Sequence, residues 1–358
     1  RRGGDVRGGL ASGRGPRPGP DAVSAHPRYR GEVIDAHCHY DATTRDRAHD
    51  VNRIGGLTAA IALWDCRWPP TRPEAEARAC QPLAPALLRC HVPDLSNVGA
   101  PWFERELERD LRISGAHGVV GIKVWKNLGL WLKDWSGARV GVDDERLDPL
   151  WATAAELGLP VAIHTGDPPA FFAPLTDDNP RIEELRKHPE WWYGSPEHPT
   201  LERLHAELEA VVAAHPRTRF VGVHFGCFMR WAEVARMLAT YPNYHVDTAA
   251  AIADMGAGDV GEVRDLVTRF ADRVVFGTDL LRTRTIEMPD LGPDRWALRE
   301  YFERHWRFFE TGASGLEHPM PDQGAWTVTG LDLPDDVLPR LYAENARAVF
   351  RLPPSVSG

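Results

Sequence analysis

Two histidines one residue apart, His37 and His39, close the stretch Glu32-Val33-Ile34-Asp35-Ala36-His37-Cys38-His39. Branched and apolar residues with a short alternating tail read as a buried strand, and residues two apart on a strand point to the same side. Both imidazoles therefore share one face, and two neutral imidazoles at a strand end are half of a site for zinc, iron, nickel or copper. The same pair could simply be two hydrogen-bonded histidines, so the ligand reading turns on what later strands bring. Four residues answer to that description: Lys123 in Gly121-Ile122-Lys123-Val124, His164 after Val161-Ala162-Ile163, His224 after Val221-Gly222-Val223, and Asp279 after Phe276-Gly277-Thr278.

The elements that must carry these residues recur along the chain. Strands are predicted at 32–39, 57–64, 86–92, 118–125, 159–164, 219–224, 244–247 and 273–279, and helices at 102–115, 148–157, 201–214, 231–239 and 260–270. Near-continuous apolar strands alternating with amphipathic helices indicate an α/β protein, a parallel (β/α)8 TIM barrel. Such a barrel gathers the C-terminal ends of its strands at one mouth, and all six candidate residues fall at or near such ends. Extra helical stretches at 295–309 and 334–350 are expected to pack outside the barrel. Extended loops follow strands four and five, the latter over 165–200, and loops of that length in a compact domain are commonly lids or binding loops. Trp131, Trp135, Phe171, Phe172, Trp191, Trp192 and Tyr193 fall in them, as an apolar cover or as packing between the loops.

Composition narrows the function. Residues 1–30 are rich in Arg, Gly and Pro without apolar period and read as a disordered extension, leaving 31–358 as one barrel domain. A balance of 42 Lys+Arg against 51 Asp+Glu, net charge −9, argues against nucleic acid as a partner. The five cysteines, Cys38, Cys66, Cys80, Cys90 and Cys227, form no Cys-x-x-Cys pair, which suits neither a disulfide framework nor a thiolate zinc site. A reducing, cytoplasmic location follows as an expectation. Cys38, between the two histidines, should face away from them and serve packing. No run approaches the roughly 18 apolar residues of a membrane span, so no membrane partner is expected, and a homo-oligomer is the expected assembly. Asp65, His91 and Asp247 lie near other strand ends and are weaker candidates for the pocket lining, whereas His117, His188, His198, His205, His215, His305 and His318 read as surface or capping residues.

Taken in order, Asp35-Ala36-His37-Cys38-His39, Gly121-Ile122-Lys123-Val124, Val161-Ala162-Ile163-His164, Val221-Gly222-Val223-His224 and Phe276-Gly277-Thr278-Asp279 resemble the motifs of the amidohydrolase superfamily of metal-dependent hydrolases, in its amidohydrolase-related (amidohydrolase 2) branch. The resemblance covers the chain from about residue 33 to 350. It implies that His37 and His39 bind one metal together with Asp279. It further implies that a lysine like Lys123 can be carboxylated and bridge to a second metal held by His164 and His224. In mononuclear members the set resembles His37, His39, His164 and Asp279, with a histidine like His224 as acid or base. The cofactor implied is one or two divalent ions, zinc by ligand type, with manganese, iron or nickel accepting the same donors.

Three functions are compatible with this set. The first is hydrolysis of an amide, lactone or ester bond of a small molecule, with Asp279 taking a proton from water and returning it to the leaving group. The second is non-oxidative decarboxylation of an aromatic or unsaturated acid, for which Lys126, Lys133, Arg282 and Arg284 could supply cations. The third is an inactive barrel that binds a ligand, since a fold does not guarantee a function.

Overall fold

The computed structural model describes residues 25–40, 45–63, 78, 83–282, 295–319, 323–324 and 326–354. Its strands are β1 (Ile34–Tyr40), β2 (Ala59–Ala62), β3 (Leu87–His91), β4 (Gly121–Val124), β5 (Val161–Ile163), β6 (Phe220–Gly222), β7 (Tyr244–Asp247), β8 (Val274–Val275) and β9 (Leu280–Arg282). Every pairing is parallel, in the order β8-β7-β6-β5-β4-β3-β2-β1-β9. β8 and β9 are successive pieces of the eighth predicted strand and its continuation. The first pairs with β7 and the second with Cys38–Tyr40 of β1. The backbone N–H of Ala36 donates to the carbonyl of Phe276 at 2.9 Å, so the two edges meet and the sheet curls into an α/β barrel.

The strands are short, yet almost every residue is buried on both faces, as a parallel sheet between a packed interior and a helical layer requires. Alternation sorts them. Ile34, Ala36, Ala59, Ile61, Cys90, Ala162, Val221 and Val275 share one cluster inside the barrel, while Val33, Ala60, Leu87, Ile122, Val124, Val161, Ile163 and Val246 join the layer beneath the helices. Predicted helices are found at Phe103–Ala116, Asp148–Leu157, Leu201–Ala214, Trp231–Thr240, Gly261–Arg269 and Arg295–Glu310. The helix Leu201–Ala214 starts where Thr200 accepts a hydrogen bond from the N–H of Arg203, an N-cap that satisfies one of the orphan donors of the first turn.

Two expectations need correction. The C-terminal helical stretch does not simply pack outside the barrel: Ala343, Ala346, Val349 and Phe350 join the interior cluster, and Asn345 Nδ2 donates to the carbonyls of Ala271 and Val274, both at 2.7 Å. It therefore closes the N-terminal end of the barrel, opposite the candidate site. The second correction concerns the start. His26, Arg28 and Tyr29, assigned by composition to the extension, are held by the buried carboxylate of Glu310, with His26 stacked on Trp306 at 4.1 Å. Short-range composition does not register a contact with a partner nearly three hundred residues away. Residues 1–24, the predicted second-strand terminus at Trp64 and Asp65, Cys66, Cys80 and Arg284 lie outside the described residues. Among the described residues no helix is long and apolar enough to cross a membrane.

Candidate metal centre

The His-x-His strand reaches its geometry through a bulge. Ile34, Asp35 and Cys38 of β1 pair with Ala59, Ala60 and Ala62 of β2, so three steps on one strand face two on the other. The extra residue reverses the alternation: Ile34 and Ala36 point inward before it, and His37 and His39 after it. Cys38 faces outward as expected, its thiol donating to the carbonyl of Ile61 at 3.3 Å. Asp35 pins the bulge. Its carboxylate accepts from the N–H of His37 and of Thr278, each at 3.1 Å, and from Thr278 Oγ1 at 2.6 Å, which ties β1 to the residue before Asp279. Burial pushes its pKa up to about 7.

Asp279 breaks the eighth strand. It takes a left-handed backbone, φ +64°, between β8 and β9, and this turns its carboxylate toward the histidines. Gly277, two residues earlier, has no alternative, because a Cβ there would lie 2.7 Å from the Cβ of His37. Asp279 Oδ1 then lies 3.1 Å from His37 Nε2 and 2.9 Å from His39 Nε2, and the two nitrogens are 3.2 Å apart. These three residues form a group whose ligand atoms converge closely enough to hold one metal ion.

The tautomers sharpen this. Asp247, at the end of β7, receives His37 Nδ1–H at 2.6 Å, so Nε2 of the neutral ring is a lone pair facing a carboxylate oxygen and can donate to Asp279 only when His37 is protonated. Acceptors arranged around a common point need a positive charge between them, either a proton on His37 or a divalent cation, so the donor set fits a metal. The electrostatics agree. Burial pushes the His37 pKa down, but Asp247 and Asp279 outweigh it and leave it raised. Burial pushes Asp279 up, but the charge of His37 and the hydrogen bonds from both histidines hold its carboxyl well below the usual range. Burial lowers His39 and depresses His164 and His224 strongly. Neutral imidazole is the form that can ligate.

His164, His224 and Lys123 are brought to the same mouth, beside this trio. The His224 ring stands 5.2 Å from that of His37 and 4.4 Å from that of His164. His224 Nδ1 donates to the carbonyl of Ala249 at 2.9 Å, so its Nε2 is the free acceptor. His164 Nε2 is buried without a hydrogen-bond partner, an orphan donor or acceptor of the kind a bound ion or substrate would satisfy. Lys123 is 2% exposed and lies between the outward-facing Ile122 and Val124, hence inside the barrel. Burial lowers its pKa, against the attraction of Asp247 and Asp279.

His224 rests on an unusual support. Residues 224, 225, 226, 227 and 228 all have positive φ, between 53° and 87°, a left-handed turn directly after β6. Asp247 bridges it to β1: Oδ2 takes His37, while Oδ1 accepts the N–H of His224 at 2.8 Å and of Ala249 at 3.1 Å. Sequence reasoning ranked Asp247 only as a weak pocket candidate. The signal available was an acidic residue closing the seventh strand, but its use as an orienting group depends on His37 and His224, both remote in sequence.

The loop after β5 approaches the same mouth. Asp167 Oδ1 lies 3.7 Å from His164 Nε2, and its other oxygen accepts from Lys126 Nζ at 2.5 Å. The ammonium stands 5.7 Å from the Trp191 ring and 5.9 Å from that of Tyr193, and Tyr193 stacks with Trp131 at 6.1 Å. Lys133, by contrast, is exposed, and the side chain of Arg282 lies outside the described residues. His91 is buried with both ring nitrogens unpartnered, whereas His305, expected at the surface or as a cap, is buried within its helix and His205 is half-buried in its own.

Comparison with known proteins places the fold in a family. The sequence model of the family described as Amidohydrolase matches residues 92–352. No curated protein matches the chain. Among solved structures, 2,6-dihydroxybenzoate decarboxylase complexed with 2,6-dihydroxybenzoate superposes with a TM-score of 0.53 at 16% identity, covering 90% of this chain and 100% of that one. A dihydroxybenzoic acid decarboxylase from Polaromonas sp. JS666, with bound manganese and the inhibitor 2-nitroresorcinol, superposes with a TM-score of 0.55 at 14% identity, covering 91% and 98%. At such identities the superpositions speak for the barrel. The family match spans most of that barrel from the end of β3 onward, and the chain belongs to the amidohydrolase family.

Proposed function

We propose that the chain is a metal-dependent hydrolase that opens an amide, lactone or ester bond of a small molecule at the mouth of the barrel. The observation that carries this is the convergence of His37 Nε2, His39 Nε2 and Asp279 Oδ1 on one point, with His37 oriented by Asp247. A divalent ion in such a site polarises a carbonyl oxygen and lowers the pKa of water from 15.7 to roughly 7. His37, His39 and Asp279 would hold it, and His164, whose buried Nε2 has no hydrogen-bond partner, would be the candidate for a further donor beside them. Zinc suits these donors, as do manganese, iron and nickel.

The remaining steps belong to the chain. The Asp279 carboxylate, 28% exposed where the histidines are closed off, accepts the proton of the attacking water and returns it to the leaving group. His224 presents an unprotonated Nε2 as the second acid or base, in an orientation fixed by Ala249 and the left-handed turn. Lys123 is the discriminator for a second ion. Burial lowers its pKa against the attraction of Asp247 and Asp279, and carboxylation would consume its neutral amine.

A second reading, decarboxylation of an aromatic acid, draws support from Lys126 and the rings of Trp191, Tyr193 and Trp131 beside His164. It is also the reaction named for the two decarboxylases above. One experiment addresses both: metal-replete protein assayed against amides, lactones and esters by proton release, and against aromatic acids by carbon dioxide release. Hydrolysis abolished by Asp279→Asn is the expected result. Full activity in Asp279→Asn overturns the proposal, and carbon dioxide release without hydrolysis replaces it with the second reading.

A further inference from the structure

The thiol of Cys227 links two candidate groups that lie on different strands. It donates to the carbonyl of Ile163 at 3.2 Å and accepts from the N–H of Thr165 at 3.3 Å, the residues on either side of His164. Its own backbone, φ +60°, belongs to the left-handed turn that presents His224. One fully buried side chain thus ties the end of β5 to the turn after β6. Across this tie the His164 and His224 rings stand 4.4 Å apart at 67°.

The turn needs such ties. Left-handed backbone is costly for every non-glycine residue, so a run of it persists only where its surroundings over-determine it. His205 holds the carbonyl of Cys227 at 2.9 Å, Asp247 holds the N–H of His224, and the Phe228 ring stacks on His224 at 5.1 Å. Of these partners, Cys227 alone also grips both neighbours of His164. Thiol hydrogen bonds are weak, so the contact fixes geometry more than it adds stability. Burial pushes the thiol pKa up to about 12, which keeps the S–H donor present at neutral pH.

We infer that Cys227 is a positioning residue of the metal centre: by hydrogen-bonding on both sides of His164 while forming part of the turn beneath His224, it sets the separation of the two imidazoles. The inference rests on the reading of this mouth as a metal site. The test is titration of the metal-free full chain with Co2+, following its visible ligand-field absorption, in wild type, Cys227→Ala, Cys227→Gly and Cys227→Ser. Alanine and glycine both delete the thiol, and glycine also suits the left-handed backbone, so it serves as the deletion if alanine does not fold.

Loss of outer partners of ligands typically weakens metal binding by about 10- to 100-fold. Cys227→Ala and Cys227→Gly are expected near the lower figure, with an altered absorption band and unchanged circular dichroism. Cys227→Ser, which keeps a donor and an acceptor, should restore most of the affinity. Wild-type affinity and band shape in both deletions overturn the inference, as does a serine variant as impaired as alanine. A wild-type chain that binds no Co2+ overturns the metal reading itself, and the inference with it.

Discussion

Replacing Asp247 by asparagine removes one charge and no volume, and the structure says where the damage goes. The wild-type carboxylate accepts three hydrogen bonds: His37 Nδ1 at 2.6 Å, the His224 N–H at 2.8 Å and the Ala249 N–H at 3.1 Å. Asparagine has one acceptor oxygen. If that oxygen keeps the two backbone donors, the amide N–H2 faces His37 and must donate to it. His37 Nδ1 then becomes an acceptor, and its proton moves to Nε2, the atom that faces His39 and Asp279. A protonated Nε2 cannot ligate. Removal of a histidine's orienting partner typically weakens metal binding by about 10- to 100-fold, or roughly 1.4–2.8 kcal/mol. Calorimetric titration with Zn2+ in competition with a chelator measures this directly, with circular dichroism as the check on folding. An Asp247→Asn protein that folds and binds Zn2+ as tightly as wild type refutes the tautomer argument.

The same geometry dictates three further outcomes. Gly277→Ala would place a Cβ 2.7 Å from that of His37, and overpacking of this kind costs roughly 1–3 kcal/mol; urea unfolding should show that loss, together with weaker metal binding. Glu207 is fixed by Arg139, by Arg203 at 3.0 Å and by the N–H of Val142 at 3.0 Å. Burial pushes its pKa up, but these donors outweigh it and hold it below the ordinary 4.5. The unfolded chain therefore binds more protons below that value, so this stabilisation is complete above about pH 4.5 and is lost as pH falls through the folded value; Glu207→Gln should flatten the acid limb of a stability-versus-pH curve and cost about 1.5–3 kcal/mol at neutral pH. Asp279→Asn should abolish turnover and weaken metal binding together, and turnover lost with metal affinity intact would assign Asp279 to proton transfer alone.

Much of this arrangement was legible in the chain because periodicity is local. His-x-His, the strand-end histidines and the aspartate after Phe276-Gly277-Thr278 each announce themselves within eight residues, and the parallel barrel then dictates that they meet. What periodicity omits is the irregular backbone that aims them. The bulge at Asp35–Cys38 turns both histidines inward, although simple alternation from Ile34 would have sent them outward. The left-handed turn at 224–228 and the break at Asp279 are likewise departures from regular strand, stabilised by partners far away in sequence. For the same reason Asp247 and Cys227, which belong to no motif in the sequence, could not be read there as orienting groups, and the closing of the barrel floor by 343–350 read only as an outer helix.

The central claim is that one divalent ion is held by His37, His39 and Asp279. Anomalous diffraction from crystals of the metal-loaded chain tests it most directly. The expected result is an anomalous peak about 2.0–2.2 Å from His37 Nε2, His39 Nε2 and a carboxylate oxygen of Asp279. A metal-loaded crystal with no peak among these three residues, or with its peak elsewhere in the chain, would contradict it.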